Sequence, residues 1–229
     1  MKFVTKSLSL SCVATGVVLA VSAVATADEE HYDIGVWNDS GVLRTGGWDH
    51  DTEQMAVDYL RVFEAEFGED ASFPFSTDEP GIGGVAADIG LAEGDIFQLN
   101  IASGLGRWNG NGFDFGGDTN IDIEYLGANV DTLSGGSIDF LVADDYDYHP
   151  FYTIGSTGIP SDGAYLMELN ASMAGLQSSE SFWVVFNLGL DEEDYEASVE
   201  WVEENLVPAP AALPLLGLMG CGAVRRRRK

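Results

Sequence analysis

Between two apolar ends, the chain alternates short apolar or aromatic runs with polar turn clusters across residues 28–206. The runs lie at 32–37, 59–67, 96–101, 121–126, 138–142, 152–154, 165–169 and 182–188, and they are rich in the β-branched and aromatic residues that suit a pleated surface. Clusters such as Asp78-Glu79-Pro80-Gly81 and Asn109-Gly110-Asn111-Gly112 separate them, which is turn chemistry. Many short strands with almost no helical periodicity predict an all-β fold, a single antiparallel β-sandwich or jelly roll. In one run Ile121, Ile123 and Tyr125 alternate with Asp122 and Glu124, so that strand is expected to be half-buried with an acidic outer face.

One helix is expected, over residues 191–206. Asp191 can cap it, and Glu192, Glu193 and Asp194 put negative charge in the first turn, where the helix dipole favours it. Tyr195, Val199, Val202 and Leu206 recur on one face, and Pro208 and Pro210 stop the helix. The pattern predicts a last element docked on the domain by a narrow apolar stripe. A solvated acidic spacer is the competing reading, since Glu203 and Glu204 sit where the dipole disfavours them.

Charge narrows the choice of partners. All 38 acidic residues fall within residues 28–204, where the only cations are Arg44, Arg61 and Arg107. Nucleic acid and anionic lipid are thereby excluded as partners of this segment, because binding them rests on Lys and Arg neutralising phosphates. Gly104-Leu105-Gly106 begins a glycine pattern, but Asn109 takes the third position and no Lys is near, so no phosphate cradle is expected. Cys12 and Cys221 both lie in the end segments. The domain of 28–206 is therefore held by its core rather than by disulfides.

The ends read as addresses. Lys2 and Lys6 precede an apolar stretch over 8–24, and Ala25-Thr26-Ala27 forms an A-x-A site ahead of Asp28. This predicts a signal peptide over 1–27, passed to the secretion machinery and cleaved after Ala27. An uncleaved anchor is the alternative, because the stretch approaches the ~18 apolar residues that span a bilayer. Residues 207–229 carry Val207-Pro208-Ala209-Pro210 as a hinge, an apolar segment over 211–224, and a cluster of Arg225, Arg226, Arg227, Arg228 and Lys229. Such a segment halts in the inner membrane with its basic end in the cytoplasm. As a helix, 211–224 would span about 21 Å against a hydrocarbon core of about 30 Å. Gly217, Gly220 and Gly222 weaken it further, so the association reads as transient more readily than permanent.

That order of Pro pair, Ala212-Leu213-Pro214-Leu215-Leu216-Gly217-Leu218 and Arg cluster resembles the PEP-CTERM sorting signal. Ala209 stands where the family usually has Glu, and a generic single-pass anchor is the competing reading. The resemblance implies recognition of the tail by an exosortase, a membrane processing enzyme, and an exported surface or matrix protein linked to extracellular polysaccharide. The domain is also similar to uncharacterised domains of PEP-CTERM proteins from planctomycete-like bacteria. Thr77-Asp78-Glu79-Pro80-Gly81, Arg107-Trp108-Asn109-Gly110, residues 182–187 and residues 200–206 carry that likeness, which implies no activity.

Chemistry inside the domain is sparse. Glycoside hydrolysis needs two acids about 5 to 9.5 Å apart, and among this many acids such pairs arise by chance. No G-x-S-x-G occurs, and only His31, His50 and His149 are available as bases. Transition-metal binding needs those histidines to converge from distant positions, and His149 before Pro150 reads as a turn or edge residue. Ca²⁺ is the better cation candidate: Asp118, Asn120 and Asp122, with Asp144, Asp145 and Asp147, offer hard oxygen ligands in turn-rich stretches. An acidic surface suited to salty water accounts for the same residues. Trp108 beside Asn109 is a candidate glycan contact, and equally a core residue. The expectation is a non-catalytic exported surface or matrix protein, with a secreted hydrolase acting on matrix polymers as the alternative.

Overall fold

The computed structural model describes residues 31–208, in which sixteen strands form three sheets and two helices complete the domain. The first sheet runs in the order β13 (Asp145–Tyr148), β6 (Ile82–Val85), β1 (Asp33–Asp39), β2 (Val42–Asp49) and β3 (Gln54–Val57). A second takes β11 (Ala128–Asp131), β10 (Asn120–Tyr125), β14 (Phe151–Gly155) and β5 (Ser76–Thr77). The third takes β12 (Gly136–Leu141), β7 (Ile96–Ile101), β15 (Gly163–Met173), β16 (Phe182–Leu188) and β4 (Val62–Glu66). The short hairpin of β8 (Gly106–Trp108) and β9 (Phe113–Phe115) hangs from β15. A single turn, α1 (Ala86–Ile89), follows β6, and α2 (Glu192–Asn205) closes the domain.

The all-β expectation holds, and each of the eight apolar runs carries a strand. The pairing is more mixed than a single antiparallel sandwich. The strands divide among three sheets, and β1–β6 and β16–β4 are parallel. Parallel neighbours cannot be joined by a hairpin and need a long crossover, so each of these pairs brings together segments far apart in the chain. β10 behaves as its alternation predicts: Ile121 and Ile123 are buried, Asp122 is half-buried and Glu124 is exposed.

One buried cluster draws on all three sheets. Ile34, Val36 and Leu43 come from the first, Ile121, Ile123, Tyr152 and Ile154 from the second, and Phe97, Phe140, Met167, Phe182 and Phe186 from the third. Phe186 ties layers together, stacking on Phe67 at 5.1 Å and meeting Tyr152 at 5.4 Å. A second, smaller cluster lies on the opposite face of β15 and β16, where Ala164, Leu166, Trp183 and Val185 meet Tyr195, Val199 and Val202 of α2. Every residue of β16 is consequently buried. Its near-continuous apolar sequence follows, because a strand covered on both faces loses the alternation of a half-exposed one.

α2 forms as its sequence predicts. The Asp191 side chain accepts from the Asp194 N–H at 3.1 Å, and Tyr195, Val199 and Val202 face the sheet while Leu206 is half-buried. The Tyr195 hydroxyl donates to the Val185 carbonyl at 2.8 Å and accepts from the Ala65 N–H at 3.3 Å, so the helix is pinned to the seam between β16 and β4. It is a docked element and not a solvated spacer. Pro208 is exposed beyond its end. Ala25, Ala27, Pro210 and Arg225 to Arg228, with the signal peptide and the apolar tail, lie outside the described residues. Among the described residues no helix is long and apolar enough to cross a membrane.

Two outcomes follow from this packing. Val202 is fully buried under α2, so Val202→Ala is expected to lower unfolding free energy in urea by about 2 kcal/mol. The exposed Glu203→Ala is expected to stay within about 0.5 kcal/mol of the parent. In the turn from β11 to β12, Asp131 Oδ1 accepts from the N–H groups of Ser134 (2.7 Å) and Leu133 (2.8 Å), which hold its carboxyl below the ordinary 3.8. A depressed carboxyl contributes stability that is complete above 3.8 and is lost as pH falls through the folded value. Asp131→Asn is expected to shallow the loss of stability between about pH 5 and pH 2, read from urea midpoints.

Candidate functional site

The Asn109-Gly110-Asn111-Gly112 cluster closes the β8–β9 hairpin. The Asn109 N–H donates to the Gly112 carbonyl at 3.0 Å, and Asn109 Oδ1 accepts from the Asn111 N–H at 3.0 Å. Gly110 sits at φ +89°, where a side chain is disfavoured. The register sets Arg107 opposite Asp114 and Trp108 opposite Phe113, while on the other edge Arg107 pairs with Tyr165 of β15.

Trp108 packs in the smaller core and also reaches a cleft. It is half-buried, with its ring 5.2 Å from that of Phe113 and 6.1 Å from that of Trp201 on α2, and Phe113 meets Trp201 at 5.7 Å. These three rings join the smaller core and fix the hairpin against the helix. Trp108 also lines an open cleft of about 390 Å³. Phe115 is 57% exposed at this cleft, and its ring packs so close over Gly106 that a Cβ there would lie 3.0 Å from it.

Polar groups surround the two rings. Arg107, Asn109, Asp114 and Asp118 all line the cleft. Arg44 and Arg61 pair with Asp39 and Glu180, whereas the Arg107 guanidinium donates to the Asp162 carbonyl at 3.1 Å. The Asp118 carboxylate accepts a hydrogen bond from the Thr157 hydroxyl, which holds its carboxyl below the usual range. The cleft thus combines flat apolar rings with donors and acceptors around them, an arrangement that suits a ligand with apolar faces and hydroxylated edges.

The oxygen ligands expected for Ca²⁺ scatter. Asp118 lies in the cleft wall, whereas Asn120 and Asp122 point from one face of β10, opposite Gly155 and Thr153 of β14. Asp144 and Asp145 are exposed around the start of β13. Of the five aspartates, only Asp147 belongs to a group of three acidic or histidine side chains whose ligand atoms lie within 4.8 Å of one another, among the described residues. Its partners there, Asp33 and His149, are not Ca²⁺ candidates from sequence.

Phe115, Arg107 and Asp114 are the cleft residues that sequence reasoning passes over. The signal present was Phe113-Asp114-Phe115, an alternating run directly after a turn cluster, which marks a strand with Phe113 and Phe115 on one side. Trp108 and Asp118, ten residues apart and singled out for different reasons, meet at the same cleft. Compared with known proteins, the chain matches no family model, no curated protein and no solved structure.

Proposed function

We propose that this chain is an exported, non-catalytic surface or matrix protein whose β domain binds extracellular polysaccharide at the Phe115 cleft. The observation that carries the reading is the exposed Phe115 ring beside half-buried Trp108 in a cleft of about 390 Å³ that Arg107, Asn109, Asp114 and Asp118 also line. Sugar rings present C–H faces that stack on aromatic rings and hydroxyl edges that hydrogen-bond to such groups. The acidic balance of the domain leaves neutral or cation-bridged glycans as the compatible class and disfavours polyanions.

In the same reading the terminal segments supply delivery. The signal peptide directs export, and the PEP-CTERM-like tail holds the chain in the inner membrane until an exosortase-type enzyme removes it. A hydrolase needs a general acid with a raised pKa, and Asp118 in this cleft is held in the opposite direction.

Binding to a panel of neutral polysaccharides tests the proposal. Phe115→Ala, at an exposed ring, is expected to weaken the strongest binder by about tenfold, the scale of one lost stacking contact, with the melting temperature unchanged. The bound glycan is expected to be recovered at its original length. Equal binding by Phe115→Ala, or shortened product, overturns the reading. Delivery has its own check: the intact mass of the exported protein is expected to lack Arg225 to Lys229, and a mature species retaining Arg228 contradicts processing.

A further inference from the structure

The first sheet gathers a second cluster of polar side chains, away from the cleft. β6 lies between β1, parallel to it, and β13, antiparallel to it, so Gly83 has Gly35 on one side and Asp147 on the other. Asp33 opens β1, and Asp147 and His149 lie two residues apart at the end of β13. Gly81 just before β6 leaves room between them: a Cβ there would lie 2.6 Å from Asp33 Oδ1 and 2.8 Å from His149 Cε1. The backbone is bare where the side chains from both neighbouring segments converge.

Asp33 is 3% exposed. Its Oδ1 accepts from the Gly81 N–H at 2.8 Å, while Oδ2 is buried with no hydrogen-bond partner. A buried carboxylate oxygen without a donor is costly to desolvate, and native structures rarely leave one so. Glu79 approaches the same N–H, with Oε2 accepting from Gly81 at 3.0 Å. Burial pushes both carboxyls up, helped by repulsion from Asp147 at Asp33 and from Asp33 at Glu79. Burial opposes a charged His149, but its hydrogen bond to the Asp78 carbonyl and the carboxylates of Glu79, Asp147 and Asp33 outweigh that effect and raise it.

The imidazole is oriented as a ligand. His149 Nδ1 lies 3.0 Å from the Asp78 carbonyl oxygen, which only accepts, so Nδ1 carries the proton and Nε2 is left for another partner. Nε2 lies 3.0 Å from Asp147 Oδ1. A backbone carbonyl fixing one ring nitrogen while the other faces a carboxylate is the outer-shell arrangement of metal-binding histidines. Ligand atoms of Asp33, Asp147 and His149 all lie within 4.8 Å of one another, and Glu79 Oε1 is 3.6 Å from His149 Nδ1.

We propose that Asp33, Asp147 and His149 bind a divalent first-row transition ion of the Zn²⁺ or Mn²⁺ kind. Three carboxylates around one imidazole leave excess negative charge even when the ring is protonated, and a divalent ion neutralises it while giving Asp33 Oδ2 its partner. The ring nitrogen selects against Ca²⁺, which takes six to eight oxygens, and one imidazole with carboxylates suits Zn²⁺ or Mn²⁺. The ion would clamp the start of β1 to the end of β13 across β6, tying three strands of the first sheet.

Calorimetric titration of the full exported chain with ZnCl₂ tests the site, with CaCl₂ at matched ionic strength as comparator. Saturable Zn²⁺ binding at one site per chain is expected, with a rise in melting temperature that Ca²⁺ does not match. Asp147→Asn and His149→Gln, both at partly exposed side chains, are expected to weaken binding at least tenfold while retaining the parent circular dichroism. His50→Gln is expected to bind as the parent does. In nitrogen-resolved spectra of the histidine ring, Zn²⁺ is expected to move the Nε2 signal of His149 and leave Nδ1 protonated. No saturable binding, binding unchanged by Asp147→Asn and His149→Gln, or a Ca²⁺ response equal to that of Zn²⁺ overturns the proposal.

Discussion

Every residue of β16 is buried, and a strand so placed must be covered twice. Phe182, Val184 and Phe186 point into the core shared by the three sheets, while Trp183 and Val185 point into the cluster under α2. The other sheets supply one cover and the helix supplies the other. Asn187 is the polar exception in the strand, and it is fully used. Its side chain accepts from the Leu190 N–H at 3.0 Å and donates toward the Leu190 carbonyl and Glu66, each at 3.3 Å, which shapes the turn that starts α2. The start of the strand is held as well: Arg61 reaches the Ser181 carbonyl and Glu180, and its guanidinium lies 5.2 Å from the Trp183 ring.

The cleft inherits its rigidity from that arrangement. Trp201 leaves the docked helix to meet Trp108 and Phe113, so the hairpin is held by β15 on one edge and by α2 on its face. One ring of the pair at the cleft is therefore anchored, and Phe115 is left to the solvent side. The acidic cluster of the first sheet sits on a different device, a glycine-rich central strand. A Cβ on Gly83 would lie 2.0 Å from the Trp48 ring, and one on Gly81 would fill the gap between Asp33 and His149. Bare backbone serves core packing at Gly83 within β6 and the polar cluster at Gly81 just before it.

How much of this could be read from the chain depends on which residues carry the pattern. β7 and β16 coincide with their apolar runs, and α2 follows from its cap, its acidic first turn and the recurrence of Tyr195, Val199 and Val202. β6, whose sequence is Ile-Gly-Gly-Val, shows no alternation because the close approach of Trp48 requires glycine, so it hides inside a turn-like stretch. β13 reads as an acidic surface loop, since only Tyr146 and Tyr148 alternate with its aspartates. The parallel pairings and the division into three sheets depend on long-range register, which local periodicity does not encode. Trp108 was legible as a candidate with two roles, but Phe115 and Arg107 gain meaning only when the hairpin lies on β15. Asp33 and His149 stand too far apart in the chain for spacing to relate them.

The pair of β15 and β16 is expected to be the most protected part of the domain, with the remaining elements dependent on it. Native-state hydrogen exchange of the amides measures this most directly, because protection reports the free energy of each opening. The slowest amides are expected to cluster in β16 and the adjoining half of β15, with those of the first sheet and of the β8–β9 hairpin exchanging earlier. Amides of β16 that exchange as fast as those of β2 and β3 would contradict it.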